Sequence, residues 1–232
     1  MKTAGIVGGL GPEITAQLYT SLIEEARKRG HETYPHIIID SIPLLFRLDS
    51  EQIGRGKNEQ IMLELLTNSI KILEKAGVDF IAIPCNTVHC FISELQEQTK
   101  VPILNIIDET IDVAIKNGVK TLGILATTET RKTNLYEDSA KHKGIGVVAP
   151  TESEQSEIEH IIYKILNQTH TAEGSKFLYR VAENLVERGA DAVALACTDL
   201  PLIYDLSLSP VPVIDSVIAL RDAILRELGE DY

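Results

Sequence analysis

The stretches GVDFIAIPCNT at residues 77–87 and GADAVALACTD at residues 189–199 are one pattern written twice, 112 positions apart. In each, a glycine and an aspartate lead into a short apolar run, and the run ends on a cysteine followed by two polar side chains. An apolar run of this length between turn signals reads as a strand buried on both faces, the pattern of a parallel sheet. Two more pairs extend the match. KTAGIVGG at residues 2–9 aligns with KTLGILAT at 120–127, an offset of 118, and VPILNIIDETIDVAI at 101–115 aligns with VPVIDSVIALRDAIL at 211–225, an offset of 110. A repeat of this length, with offsets that drift as loops lengthen and shorten, predicts two copies of one α/β unit.

The rest of the chain keeps the same rhythm. Strands are predicted over residues 3–7, 36–41, 79–84 and 102–105 in the first half, and over 121–126, 145–149, 191–196 and 211–214 in the second. Between them, amphipathic periodicity predicts helices over 12–29, 58–75, 88–97, 108–117, 130–142, 152–167, 171–188 and 217–228. Strands alternating with helices give an α/β fold with parallel sheets. The expected architecture is two similar lobes, each a central parallel sheet flanked by helices, related by pseudo-two-fold symmetry, with the active site in the cleft between them. Each cysteine then stands at the carboxyl end of a strand, where open α/β sheets bind ligands. The symmetry puts Cys85 and Cys197 on opposite walls of that cleft.

Composition narrows the chemistry. The formal net charge of −12 over 232 residues argues against nucleic acid as a partner, because that binding neutralises phosphates with Lys and Arg. An anionic small molecule needs locally placed donors or cations to overcome this field. No apolar run approaches the roughly 18 residues of a membrane span, and the N-terminal MKTAGIVGGL has no secretory-signal pattern. The chain reads as soluble and cytoplasmic, with no membrane partner. Its three cysteines, Cys85, Cys90 and Cys197, are too few for a disulfide framework and lack zinc-site spacing, so no metal is expected. Cys90 reads as a small buried hydrophobe.

Two like groups on opposite sides of one small molecule suit inversion of a stereocentre. One thiolate removes a proton from carbon while the other, still protonated, returns one to the opposite face. A thiol of ordinary pKa near 8.5 must be shifted to do this, and two adjacent thiols titrate as a coupled pair. The polar residues Asn86, Thr87, Thr128 and Thr198 are candidate donors to a substrate carboxylate, or loop and cap partners. His89, four residues after Cys85, either helps set the thiol's pKa or packs. No lysine stands at a strand end beside a phosphate loop, which disfavours pyridoxal phosphate; no cofactor is expected.

With PCNT at residues 84–87 and ACTD at 196–199 each closing an apolar strand, the chain resembles the aspartate/glutamate racemase superfamily, which needs no pyridoxal phosphate, and within it the aspartate racemases. IVGGLGP at 6–12 is similar to that group's glycine-rich loop, and ATTET at 126–130 to its threonine-rich loop. The resemblance spans the whole chain. It implies racemisation of L- and D-aspartate with Cys85 and Cys197 as the two bases, the first acting on the D-isomer and the second on the L-isomer. It implies a substrate site of Gly9, Leu10, Arg47, Asn86, Thr87, Thr127, Thr128, Lys164, Thr198 and Asp199. Arg47 would take the side-chain carboxylate; Lys164 would stand in for a lysine whose place falls on Asn167. It also implies a homodimer, and one lobe of residues 1–100 plus 209–232 around Cys85 against a second of 101–208 around Cys197. Family members carry Gly where this chain has Ala196, Glu where it has Asp199, Met where it has Leu10 and Gly where it has Glu129. The alternatives are a glutamate, broad-specificity or hydantoin- or maleate-type enzyme on the same scaffold, a non-catalytic small-acid binding protein, and a redox protein using a Cys85–Cys197 disulfide.

Overall fold

The computed structural model describes residues 2–44 and 58–229. The first half runs β1 (Thr3–Gly8), α1 (Pro12–Lys28), β2 (His36–Ser41), α2 (Glu59–Lys75), β3 (Phe80–Ala82), a 3-10 turn (Thr87–Phe91), α3 (Ile92–Glu97), β4 (Ile103–Leu104) and α4 (Ile106–Lys116). The second half runs β5 (Thr121–Ala126), α5 (Thr128–Lys132), α6 (Leu135–Lys143), β6 (Gly146–Val148), α7 (Glu152–Leu166), α8 (Ala172–Glu187), β7 (Ala192–Ala196), two short 3-10 turns, β8 (Val213–Asp215) and α9 (Ser216–Leu228). The strands form two four-stranded sheets, ordered β2-β1-β3-β4 and β6-β5-β7-β8, with every pair parallel. The two orders are the same permutation, as the repeat predicts.

Matched residues do matched work. Asp79, at the start of β3, accepts the backbone N–H of Thr3 at 2.6 Å; Asp191, at the start of β7, accepts those of Lys120 and Thr121 at 2.8 and 2.9 Å. Asn105 caps α4 by accepting the N–H groups of Ile107 and Asp108, and Asp215 caps α9 by accepting those of Val217 and Ile218. Such caps satisfy donors that the first helical turn otherwise leaves unpaired.

Side-chain alternation along each strand sorts the core into layers. Ala4 and Ile6 of β1, Phe80 and Ala82 of β3, Leu122 and Ile124 of β5, and Ala192, Ala194 and Ala196 of β7 all enter one central cluster with α4 and α9. The opposite faces pack outward: Val7, Ile81 and Ile83 in one cluster, Leu125, Val193 and Leu195 in another. The same parity carries past the strand ends, so Cys85 joins the first outer cluster and Cys197 the second.

The halves exchange helices. β4 pairs with β3 and β8 with β7, so each strand stays with its own half. The helices that follow do not: α4 packs against α9 and α6, and α9 against α1. The crossings expected at residues 101 and 209 therefore come after these strands, because strand pairing holds residues 103–104 and 213–215 where they are. The helix expected over 130–142 is also broken, with Asn134 in the left-handed region at φ 52° between α5 and α6. Likewise the turn after Cys85 begins as 3-10 helix rather than α-helix. Among the described residues, no helix is long and apolar enough to cross a membrane.

Candidate active site

In both sheets the central strands β1 and β3, or β5 and β7, flank the point where the strand order reverses, and the loops leaving their carboxyl ends carry the polar residues. Residues 9–11 follow β1, Cys85 to Thr87 follow β3, Thr127 and Thr128 follow β5, and Cys197 to Asp199 follow β7. Side chains from the two sets of loops touch.

Gly9 shapes the first loop. Its φ is 83°, and a Cβ there would lie 2.4 Å from the Ile42 carbonyl oxygen, so only glycine fits. Its N–H donates to Thr15 Oγ1 at 3.1 Å, and Leu10 beside it is buried with Cys85. Gly11 lies close to the other half, since a Cβ there would come within 3.2 Å of Asp199 Oδ1.

Cys85 and Cys197 are both buried, 3% and 4% exposed, and neither is in a disulfide. Burial pushes the Cys197 thiol up, the Asp199 carboxylate adds to this, and the charge of Cys85 adds a smaller share. The Cys85 side chain is thus among the groups that act on Cys197. Asp199 Oδ2 is 3.8 Å from Cys197 Sγ, and Asp199 and Thr198 are both buried.

Of the two roles expected for His89, the structure favours the packing one. Its Nδ1 meets the carbonyl oxygen of Cys85 at 2.7 Å, and its Nε2 accepts the N–H of Ile106 at 3.3 Å. A carbonyl only accepts and an amide only donates, so the proton sits on Nδ1 and the ring is neutral. Burial lowers its pKa, with the Cys85 and Leu104 backbone and Asp108 opposing. The imidazole thus ties the Cys85 backbone to the start of α4 and meets its carbonyl, not its sulfur.

Two buried networks join the halves. Thr87 Oγ1 lies 3.0 Å from Thr127 Oγ1 and 3.2 Å from Thr130 Oγ1, while Thr127 donates to Thr130 at 2.9 Å. Three hydroxyls in mutual contact close a ring in which each donates once. In the second, Tyr136 Oη donates to Asn86 Oδ1 at 2.7 Å, Asn86 Nδ2 donates to Ser216 Oγ at 3.0 Å, and Ser216 donates to the Leu195 carbonyl at 2.8 Å. Sequence reasoning named Asn86, Thr87 and Thr127 but missed Tyr136, Thr130 and Ser216. Polar spacing could have flagged Ser216, directly after the capping Asp215; nothing local distinguishes Tyr136.

Other expected residues are engaged elsewhere. The N–H of Thr128 donates to Glu159 Oε2 at 2.9 Å and its hydroxyl accepts from Gln155 at 3.4 Å, both on α7. Lys164 lines a cavity of about 180 Å³ with His170, Phe177 and Arg180. Asn167 is exposed and bonds the Tyr163 carbonyl at the end of α7. Glu129 pairs loosely with Lys132 at 3.9 Å. The half-buried Cys90 thiol is pushed up to about 12, first by burial and then by Glu59, Glu129 and Glu94. Arg47 lies outside the described residues.

The two buried cysteines lie on repeat-related loops of a two-sheet α/β protein, and the Asp/Glu/hydantoin racemase family pattern matches residues 7–224. The chain belongs to that family and is an isomerase of the amino-acid racemase type. It is 32% identical over 216 residues to the broad specificity amino-acid racemase RacX of Bacillus subtilis (strain 168), covering 91% of this chain and 92% of that protein. Among solved structures, an aspartate racemase homologue from Pyrococcus horikoshii OT3 is similar with TM-score 0.81 and 30% identity over 99% of this chain and all of that one. The aspartate racemase of Picrophilus torridus gives TM-score 0.78 and 28% identity over 99% and 95% of the two chains.

Proposed function

We propose that this racemase interconverts the enantiomers of an acidic amino acid, aspartate first, by two-base proton transfer between Cys85 and Cys197 without a cofactor. The observation that carries this reading is the matched placement of the two buried thiols, each on the loop after the third strand of its half, with Cys85 among the groups that act on Cys197.

In the chemistry, one cysteine as thiolate takes the α-proton and the other, as thiol, delivers a proton to the opposite face; the roles exchange in reverse. Carbanion charge spreads into the α-carboxylate, which needs donors. Thr198 and the Asn86 N–H left over by Ser216 are suited to that. In this reading Cys197, its thiol pushed up, rests protonated and Cys85 is the first base for the D-isomer, while Arg47 takes the side-chain carboxylate. We extend the proposal to a homodimer in the cytoplasm.

A broader substrate range is the second reading, favoured by the Bacillus subtilis relative. A circular-dichroism screen of single amino-acid enantiomers with cofactor-free protein decides between the two. Loss of rotation confined to aspartate supports the first; comparable rates across several amino acids support the second; constant rotation of every compound removes both. Cys85→Ser and Cys197→Ser are each expected to abolish turnover.

A further inference from the structure

The polarity of the Tyr136–Asn86–Ser216 chain is fixed from one end. The carbonyl of Leu195 can only accept, so the Ser216 proton is committed to it at 2.8 Å. Towards Asn86, Ser216 therefore offers only lone pairs, and the amide must present Nδ2–H there, at 3.0 Å. That turns Oδ1 towards Tyr136, which must donate, as it does at 2.7 Å. One N–H of Asn86 remains outside the chain, on the residue next to Cys85. Tyr136, Ser216 and Leu195 are 0% exposed and Asn86 1%, so water cannot replace a missing partner. The chain also spans the halves: it starts on α6, passes through the Cys85 loop, and ends on β7 two residues before Cys197.

We infer that Tyr136 is a positioning residue that locks the orientation of the Asn86 amide, so that its remaining N–H is held ready for the substrate's carboxylate. The inference rests on the racemase reading of the cysteine site for its catalytic consequence, but not for the orientation itself. Burial holds the Tyr136 hydroxyl in its protonated, donating form across the working pH range. Thr110 and Ser216 are its other near neighbours, and Asp215 and Cys197 are the acidic groups facing it.

The test uses the full-length protein and the variant Tyr136→Phe, which keeps the ring and deletes only the donor. The first readout is the side-chain amide resonance pair of Asn86 in ¹⁵N-labelled protein. In the parent, the two proton shifts should lie away from free-amide values, with one proton slow to exchange; in Tyr136→Phe both should move towards free-amide values and the protected proton should exchange faster. An unchanged pair overturns the inference. The second readout is steady-state kinetics in both directions, where kcat should fall about tenfold or more with a smaller change in KM. Tyr136→Phe combined with Asn86→Ala should be no slower than Asn86→Ala alone, since residues acting through one another are not additive. Full additivity, or a loss of melting temperature with kcat unchanged, assigns Tyr136 a packing role only. If Tyr136→Phe does not fold, Ser216→Ala against Ser216→Thr supplies the same comparison, with threonine expected to restore the amide signature and turnover. A parent protein that turns over no amino acid overturns the racemase reading, while the resonance pair still decides the orientation.

Discussion

Asp199 Oδ2 stands 3.8 Å from Cys197 Sγ, both side chains buried on the loop after β7 and the aspartate lying against Gly11 of the other half. A carboxylate beside a thiol makes the thiolate harder to form, second only to burial here. Asp199→Asn is therefore expected to lower the pH at which Cys197 becomes reactive. Iodoacetamide alkylation against pH, in a Cys85→Ser, Cys90→Ser background, reads this directly; a midpoint that stays put or rises contradicts it.

The same raised thiol links Cys197 to stability. The fold holds its proton more tightly than the unfolded chain does, so the contribution is complete below the unfolded value near 8.5. It is lost as pH rises from there towards the higher folded value. Urea denaturation from pH 8 upward should show stability falling more steeply in the parent than in Cys197→Ala.

His89 works on the acid side. Its buried ring is neutral, so the unfolded chain takes up a proton near pH 6.5 before the folded one does, and stability falls as pH drops below that. His89→Ala should cost about 2–4 kcal/mol at neutral pH, because the Cys85 carbonyl and the Ile106 N–H lose their partner and a cavity opens. The variant's stability should also lose part of its dependence on acid pH, measured by the same denaturation series.

Within the threonine ring, Thr87→Val keeps the shape and removes one hydroxyl, at a cost of about 1 kcal/mol. Thr127→Val breaks the same ring from the other half and also unpairs the Thr130 N–H. A double-mutant cycle on melting should show coupling between them across the halves. Strict additivity means that the ring does not act as a unit.

Gly9→Ala sets φ of 83° against a 2.4 Å approach to the Ile42 carbonyl and is expected to destabilise by about 2–4 kcal/mol. Gly77→Ala meets nothing within 4 Å, so only its φ of 80° opposes it, costing about 1 kcal/mol. Thermal unfolding of the two variants should separate them clearly.

What was legible in the sequence is what a repeat makes visible. Laying 77–87 on 189–199 located both cysteines, the strands they close and the matching aspartates, because those features are local and doubled. The exchange of α4 and α9 between halves was expected only through the family resemblance, since no residue pattern shows which helix faces the shared central core. The left-handed Asn134 broke a helix whose hydrophobic spacing ran on through it. Tyr136 and Ser216 escaped notice because their importance lies in one buried amide 50 and 130 residues away, a tertiary fact with no periodicity. His89 was found, but its partner is a backbone carbonyl, which no residue pattern reveals.

The central claim is that two different groups serve the two faces of one substrate carbon. Racemisation of L-aspartate in D₂O, sampled at early conversion, tests it. Two separate thiols predict that every D-aspartate molecule formed carries deuterium at the α-carbon while the remaining L-aspartate stays protonated. Deuterium appearing equally in recovered L-aspartate would mean one base serving both faces, and deuterium in neither enantiomer would mean that no α-proton is exchanged; either result contradicts the account.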